Sequence, residues 1–337
     1  MSSSEGPDGT GGRQFIADLE PGAGVDEVFF LREVEERSTR DGRPYLSLRL
    51  SDRTGTADAR CWERARELKL CLVRDSFVRI KGKVESYRGG KQIRVEAAAP
   101  VDAAGLDQHD FLPSSYRSTG ELADFLRYFL TEIFDPDFSR LLSAFFHDPE
   151  FMERFCLAPG DARSHHAYLG GLLEHTVSVA TLCQHTAVQH PRLNSDLLIT
   201  AALLHDVGKL EEFSYEGRIR LSRQGRLLGH VLLGQRMIEK RLEALDGFPE
   251  DKELELIHAV ISHHGELEWG APRRPQSAEA LVLHHLDNLD ARVKGFFEIV
   301  EGKGELPWPE MVNYFRRPLD EPKAADRELP PDGRLGH

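Results

Sequence analysis

The chain has 337 residues, of which 40% are hydrophobic and 29% are charged, and its net charge is −13. This length allows two domains, each with its own core. The negative charge argues against a protein whose whole surface binds nucleic acid. The lack of an uninterrupted apolar run of about 18 residues argues against a membrane span.

Residues 1–13 are rich in Gly and Ser, and we expect them to be disordered. They lack the basic start and apolar core of a secretory signal peptide. The 4 cysteines form no CxxC pair and show no disulfide-framework spacing, which favours free thiols in a reducing compartment. These features predict a cytoplasmic protein.

Residues 14–103 mainly alternate apolar and polar side chains, which is the two-residue period of β-strands. A short helix is predicted near residues 63–70. About five short strands, with a helix between the third and the fourth, predict a small Greek-key barrel of the OB type. The clearest alternating segments are residues 45–51, 56–62, 77–84 and 92–95.

The barrel segment is basic although the whole chain is acidic. Residues 27–100 carry 17 Lys and Arg against 12 Asp and Glu, and the remainder carries 26 against 44. Basic side chains interleaved with aromatic rings suit a single-stranded nucleic acid, whose phosphates and bases they contact. A solvated strand face, with aromatics that only cover the barrel ends, is the alternative. The candidate nucleic-acid-binding residues are Arg79, Lys81 and Lys83 on one strand face, with Tyr45, Trp62 and Tyr87 near it.

A change of period marks the second half of the chain. Residues 104–120 contain Asp, Gly, Pro and Ser and are predicted to be a linker. From Glu121 the apolar spacing follows the 3.6-residue period of helices, and the Pro-rich residues 318–337 are expected to be a loose tail. Helices are predicted near residues 168–189, 195–212, 226–245, 251–264 and 276–299.

Histidines and aspartates recur in one ordered series through these helices. Imidazole and carboxylate are the ligands that borderline and hard divalent ions prefer, and a carboxylate can bridge two ions. The pair His205-Asp206 ends the apolar run 197–204, where unpaired polar groups would cost several kcal/mol. The series therefore predicts a site for one or two hydrolytic metals. Its pieces are Glu174-His175, His205-Asp206, Gly229-His230, His263-His264 and Asp287.

This ordered series resembles the HD superfamily of metal-dependent phosphohydrolases. More narrowly, residues 164–176 (SHHAYLGGLLEHT), 203–209 (LLHDVGK) and 286–292 (LDNLDAR) resemble the YhaM-type 3′-to-5′ exoribonucleases. The resemblance spans residues 14–315. It implies a multidomain chain, with an N-terminal all-β OB-fold barrel over 14–103 followed by an all-α HD domain over 121–317.

The resemblance also implies roles for individual residues. Asp206 is the expected bridge, and Asp287 is preferred as a ligand to Asp290, which lies on the same helix face. Lys209, three residues beyond Asp206, would neutralise charge on a phosphate. His166 either positions the terminal nucleotide or only enters the helix. The implied metal ligands are His175, His205, Asp206, His230, His263, His264 and Asp287, and the implied catalytic residues are Lys209, Asp206 and His166.

The implied activity is metal-dependent 3′-to-5′ hydrolysis of single-stranded RNA to mononucleotides, with single-stranded DNA as a further candidate substrate. Manganese is the expected ion, and magnesium, cobalt, iron and nickel are alternatives. A homo-oligomer is compatible with the sequence.

Two other functions compete with this one. The first is an HD phosphohydrolase that acts on small nucleotides and uses the barrel as an interaction module. Only a polymer substrate needs the basic, aromatic barrel face, and this distinguishes the two enzymes. A non-catalytic nucleic-acid-binding protein is disfavoured because every expected ligand position is filled.

Overall fold

The computed structural model describes residues 13–87, 90–162 and 166–300. The expectations for residues 1–12 and for the tail 318–337 lie outside the described residues. A closed five-stranded barrel is followed by a helical domain, which confirms the predicted fold class. Within the described ranges, none of the helices combines the length and the apolar character needed to cross a membrane.

The barrel closes in the strand order β1-β2-β3-β5-β4. Neighbouring strands are antiparallel except β3 and β5, which are parallel. Alternate side chains of every strand point inward, as Leu46, Leu48 and Leu50 do on β2, and together they form one core. The elements are β1 Gly24–Ser38, β2 Pro44–Asp52, β3 Gly55–Cys61, α1 Ala65–Cys71, β4 Ser76–Tyr87 and β5 Gly90–Val101.

The helical domain is built around α5 and α6. Every residue from Leu197 to Leu204 of α6 is buried, as its unbroken apolar run predicts. Because α6 ends at Leu204, the residues that follow it lie deep inside the domain. The helices are α2 Thr119–Thr131, α3 Pro136–Phe146, α4 Pro149–Leu157, α5 Gly171–Gln189, α6 Ser195–Leu204, α7 Lys209–Glu212, α8 Arg223–Leu242, α9 Glu250–Ser262 and α10 Ala278–Val300.

A turn at residues 205–208 corrects one predicted element. The sequence predicts one helix over 195–212, but α6 and α7 are separate helices on either side of this turn. Gly208 allows the turn to approach α8 closely, since a Cβ at this position would overlap the carbonyl oxygen of His230. Asp206 and Lys209 are nevertheless close to each other, as predicted, because the turn brings the Lys209 backbone N–H to the Asp206 carbonyl, to which it donates at 2.9 Å.

Gly208→Ala is expected to force α7 and α8 apart and to displace His230. Overpacking of this kind typically lowers the free energy of unfolding by about 1–3 kcal/mol. Denaturant unfolding and a metal titration measure the two effects. Gly120→Ala, where the nearest atom would be 3.6 Å from the added Cβ, is the matched control. A Gly208→Ala protein with parental stability and metal affinity would show that the close approach is not required.

The hairpin formed by β6 and β7 joins the two domains. Gly217 at its tip has a φ of +67° and lies against the ring of Phe30, which a Cβ would overlap. Its backbone N–H donates to Gln108 Oε1 at 2.9 Å. Phe30 belongs to a small apolar cluster with Phe77 and Phe111. Phe111 lies in the segment 104–120, so this segment packs a buried aromatic ring against the barrel. The strands are β6 Phe213–Ser214 and β7 Arg220–Leu221.

Candidate metal centre

The predicted ligands converge on one place in the helical domain. Some lie at or just beyond helix ends, His230 follows a kink at Gly229, where α8 has a φ of +72°, and His175 and Asp287 lie within their helices. The seven side chains come from five segments: His175 from α5, His205 and Asp206 from the turn after α6, His230 from α8, His263 and His264 from the end of α9, and Asp287 from α10.

Asp206 lies at the centre, and its two carboxylate oxygens face different imidazoles. Its Oδ2 lies 3.4 Å from His175 Nε2 and 3.3 Å from His205 Nε2. Its Oδ1 lies 3.4 Å from His230 Nε2 and 3.7 Å from His263 Nε2. The carboxylate therefore divides the imidazoles into two sets, as a bridging ligand would.

Asp287 and His264 complete these sets. Asp287 Oδ1 lies 3.1 Å from His175 Nε2 and 3.8 Å from His205 Nε2. His264 Nε2 lies 3.1 Å from His230 Nε2. Such convergence of nitrogen and oxygen donors is typical of metal sites. In each of two groups the ligand atoms lie within 4.8 Å of one another: His175, His205 and Asp287, and His230, His263 and His264.

The outer nitrogen of three imidazoles is bonded to a backbone carbonyl. His205 Nδ1 donates to the Ala202 carbonyl at 2.8 Å, and His263 Nδ1 donates to the Val260 carbonyl at 2.6 Å. His264 Nδ1 donates to the Trp269 carbonyl at 2.8 Å. Because a carbonyl oxygen can only accept, the proton of each neutral ring lies on Nδ1, and the Nε2 lone pair faces the centre. This is the tautomer that a metal ligand needs.

Glu212 orients His230 in the same way. Its Oε2 accepts from His230 Nδ1 at 2.9 Å, and its Oε1 accepts from the His230 backbone N–H at 3.0 Å. Sequence reasoning missed this residue. Its position three residues after Lys209 does not indicate that it meets His230, because the contact between Glu212 and His230 depends on the kink at Gly229.

Glu212→Gln is expected to weaken metal binding by about 10- to 100-fold, the usual loss when an outer partner of a ligand is changed. The amide removes the negative charge that holds the His230 proton on Nδ1. A metal competition titration gives the affinity. Glu211→Gln is the control, because Glu211 pairs with Arg154 at 2.7 Å and does not contact the imidazoles. Equal affinities in the two variants would contradict this role of Glu212.

Asp290 lies on the outer side of His175. Its Oδ2 accepts from His175 Nδ1 at 2.7 Å and lies 3.2 Å from His166 Nε2, and its Oδ1 accepts from the Ser178 hydroxyl. Of the two aspartates in this segment, Asp287 faces the inner nitrogen of His175 and Asp290 faces the outer one.

His166 belongs to the same outer layer. Its side chain is buried, its φ is +57°, and its Nδ1 lies 2.9 Å from the Tyr168 hydroxyl. The backbone conformation is uncommon for a residue with a side chain. His166 thus contacts Asp290, which in turn contacts His175.

The charges of the site suit a cation. Burial raises the pKa of Asp206, but the ammonium of Lys209, 2.6 Å away, holds that pKa well below its usual range. Burial holds the pKa of His263 well below its ordinary value. Asp206 Oδ1 is buried and accepts no hydrogen bond from the described residues. An ionised carboxylate with such an oxygen, beside the neutral imidazole of His263, fits a divalent metal.

The inner side of the site opens into a cleft of about 1540 Å³. The helical domain contributes Asp206, Lys209 and His230 to its lining, and the barrel contributes Arg32 and Asp75. The His/Asp cluster is therefore accessible from a cleft between the two domains.

An aromatic pair and basic residues share the outer face of β2, β3 and β5. The rings of Tyr45 and Trp62 lie 4.6 Å apart, and the Arg60 guanidinium lies 5.7 Å from the Tyr45 ring. Arg60 is in register with Arg94 of β5, and Arg94 is in register with Lys83 of β4. This surface, Tyr45, Trp62, Arg60, Arg94 and Lys83, is called the barrel face below.

The other candidates on β4 lie away from that aromatic pair. Arg79 is exposed and donates to Asp26 at 2.8 Å, and Lys81 is in register with Asp26. Tyr87 is exposed at the end of β4. Arg79, Lys81 and Lys83 all point outward from β4, as expected, but the barrel order places β5 between this strand and β3, so Tyr45 and Trp62 are not on the neighbouring strand.

Comparison with known proteins agrees with this architecture. Residues 172–292 match the HD domain family, and residues 31–101 match the OB-fold nucleic acid binding domain family. The 3′-5′ exoribonuclease YhaM of Bacillus subtilis (strain 168) is 31% identical over 277 residues, which is 81% of this chain and 87% of that relative. The 3′-5′ exoribonuclease YhaM of Geobacillus sp. (strain WCH70) is 31% identical over 281 residues, which is 82% of this chain and 85% of that relative. The chain therefore belongs to the YhaM family of 3′-5′ exoribonucleases.

Proposed function

We propose that this chain is a metal-dependent exoribonuclease that removes mononucleotides from the 3′ end of single-stranded RNA. One observation carries the proposal: the two oxygens of Asp206 face two sets of imidazoles at the base of a cleft between the helical domain and the barrel. The relatives that span most of the chain are named for this activity.

The HD domain implies a divalent metal at the His/Asp cluster. We infer two ions, one on each side of Asp206, with manganese expected first and magnesium, cobalt, iron and nickel as alternatives. When bound, such ions lower the pKa of water and withdraw charge from a phosphate. The inferred ligands are His175, His205 and Asp287 on one side and His230, His263 and His264 on the other, with Asp206 between them.

Lys209 and His166 receive different roles. The Lys209 ammonium lies 2.6 Å from Asp206 Oδ2 and lines the cleft. A fixed positive charge there stabilises the negative charge that develops on phosphate oxygens during hydrolysis. His166 contacts Asp290 at 3.2 Å, and Asp290 accepts from His175, so His166 acts as a positioning residue.

The barrel supplies affinity for a polymer. Members of the OB-fold class bind single strands on the face of their second and third strands, where Tyr45 and Trp62 offer ring faces for stacking and Arg60 offers charge for phosphates. A small-nucleotide substrate would not need this barrel face. Single-stranded DNA is a second candidate substrate, because stacking and phosphate contacts do not require a 2′-hydroxyl.

The cysteines support the inferred compartment. All four are free thiols, and disulfides are rare in reducing compartments. We infer a cytoplasmic location. The four residues are Cys61, Cys71, Cys156 and Cys183.

Replacing Tyr45 and Trp62 by Ala is expected to weaken binding of single-stranded RNA by about 10-fold or more, because base stacking contributes about 1–3 kcal/mol per base. Fluorescence anisotropy with labelled RNA in a chelator measures binding without hydrolysis. The Arg79→Ala and Lys81→Ala double variant should have a smaller effect, because both residues lie outside the barrel face and beside Asp26, with which Arg79 is paired. A larger loss in this double variant would place the binding surface on β4.

Digestion of end-labelled strands tests the proposed activity. With divalent metal, RNA labelled at the 3′ end should release its label as a mononucleotide from the first turnover, while RNA labelled at the 5′ end should shorten gradually. A chelator should stop both reactions. The rate of digestion of DNA with the same sequence shows whether the enzyme prefers ribose or deoxyribose. Release of the 5′ label first would contradict the polarity. Hydrolysis of small nucleotides alone would favour the phosphohydrolase alternative.

A further inference from the structure

The cleft contains arginines that neither the metal centre nor the barrel face accounts for. Arg218 precedes β7 and Arg220 lies on it, and both side chains line the cleft that Asp206 and Lys209 also line. Arg226 of α8 lies in the same lining. Basic side chains therefore stand on the path between the barrel and the metal centre.

Asp75 of the barrel holds two of these guanidinium groups. Its Oδ1 lies 3.2 Å from Arg218 Nη1, and its Oδ2 lies 3.3 Å from Arg220 Nη1. In each ion pair the arginine atom nearest to the carboxylate is Nη1, and a guanidinium carries five N–H donors in all. One carboxylate cannot neutralise two guanidinium groups, so the cluster keeps a net positive charge inside the cleft.

The hairpin that carries these arginines has contacts at its base and at its tip. Its first residue, Phe213, directly follows Glu212, which binds His230 at the metal centre. Its tip residue, Gly217, is seated on Phe30 of the barrel. The arginines are therefore held at a set position relative to the metal ligands.

We propose that Arg218 and Arg220, positioned by the hairpin and paired with Asp75, bind the backbone phosphates of the nucleotides immediately upstream of the scissile bond. Guanidinium groups recognise phosphate through paired N–H donors, and their planar shape fixes its position. This inference rests on the proposed function. It predicts that a strand too short to place a phosphate at the hairpin is a poor substrate, so that digestion slows on short 5′ remnants.

The Arg218→Ala and Arg220→Ala double variant tests the contact. Anisotropy with a long single-stranded RNA in a chelator should show about a 10-fold loss of affinity for each arginine, which is the size of a charge-assisted hydrogen bond. The dependence of log affinity on log salt should flatten by about 0.7 for each phosphate contact removed. In the presence of metal, kcat/KM for long RNA should fall far more than kcat/KM for a small phosphodiester, which has no upstream phosphate.

Two further variants separate phosphate binding from other roles. Arg127→Ala with Arg140→Ala removes the same charge from exposed arginines of α2 and α3 that also pair with aspartates, and it should leave RNA affinity near the parental value. Asp75→Asn breaks the same ion pairs as the hairpin variant, but it keeps both arginines and makes the cleft more positive by removing a negative charge. Phosphate binding predicts that Asp75→Asn binds RNA at least as tightly as the parent protein.

The outcomes are distinct. If Asp75→Asn and the hairpin variant lose affinity equally, the cluster is only a link between the domains, and the inference fails. It also fails if the hairpin variant matches the Arg127/Arg140 control. Should the alanine variant not fold, Arg218→Lys with Arg220→Lys must lose affinity while keeping the parental salt dependence, and unchanged affinity overturns the inference. Failure of the parent protein to release the 3′ label contradicts the proposed function instead.

Discussion

Asp206→Ala is expected to abolish metal binding and RNA hydrolysis together. Asp206 faces four imidazoles, and its loss removes the carboxylate that lies between the two sets. The fall in turnover should exceed the roughly 100-fold loss that follows a change in a ligand's outer partner. The variant also leaves Lys209 buried without its counter-charge, which typically costs about 3–5 kcal/mol of folding free energy.

Elemental analysis and 3′-label release, measured on the same preparation, check this result. Asp206→Asn keeps the side-chain volume, and it should also lose metal. Asp124→Ala removes an exposed carboxylate from α2 and is the control. Parental metal content and activity in both Asp206 variants would show that the site is misassigned.

Lys209→Met is expected to lower turnover on RNA by about 100-fold or more while the metal content stays constant. The methionine keeps most of the buried volume but removes the ammonium, and losses of this size follow removal of one electrostatic stabiliser. The substrate affinity should change less than kcat, because the charge acts on the transition state.

The same measurements on Lys252→Met provide the control for Lys209. Lys252 also forms close ion pairs, at 2.6 Å with Asp135 and 2.7 Å with Asp137, in another part of the helical domain. Unchanged turnover in Lys209→Met would reject a role in hydrolysis. Loss of metal with loss of turnover would instead make Lys209 only a counter-charge for Asp206.

The features that depend on local periodicity could be predicted from the sequence. The apolar run that ends at Leu204 predicts a buried helix end, and the structure buries His205 and Asp206 there. Alternation along β2, β3 and β4 predicts the barrel and the exposed row of basic residues on β4. Periods of two and 3.6 residues carry this information because they report which side of an element is buried.

The features that depend on distant contacts could not be predicted in this way. The turn at residues 205–208 follows from the close approach of Gly208 to α8, and Glu212 reaches His230 only because of the kink at Gly229. The parallel pairing of β3 with β5 places Arg94 beside Arg60. The contacts of Asp75 with the hairpin join the two domains. Neither the sequence spacing nor the local composition of these residues indicates that they meet.

Anomalous diffraction from crystals grown with manganese tests the metal centre most directly. We expect two peaks that flank Asp206, one near its Oδ2 together with His175, His205 and Asp287, and one near its Oδ1 together with the other three histidines. Crystals without a peak in the cluster, or with a peak that Asp206 does not contact, would contradict this expectation.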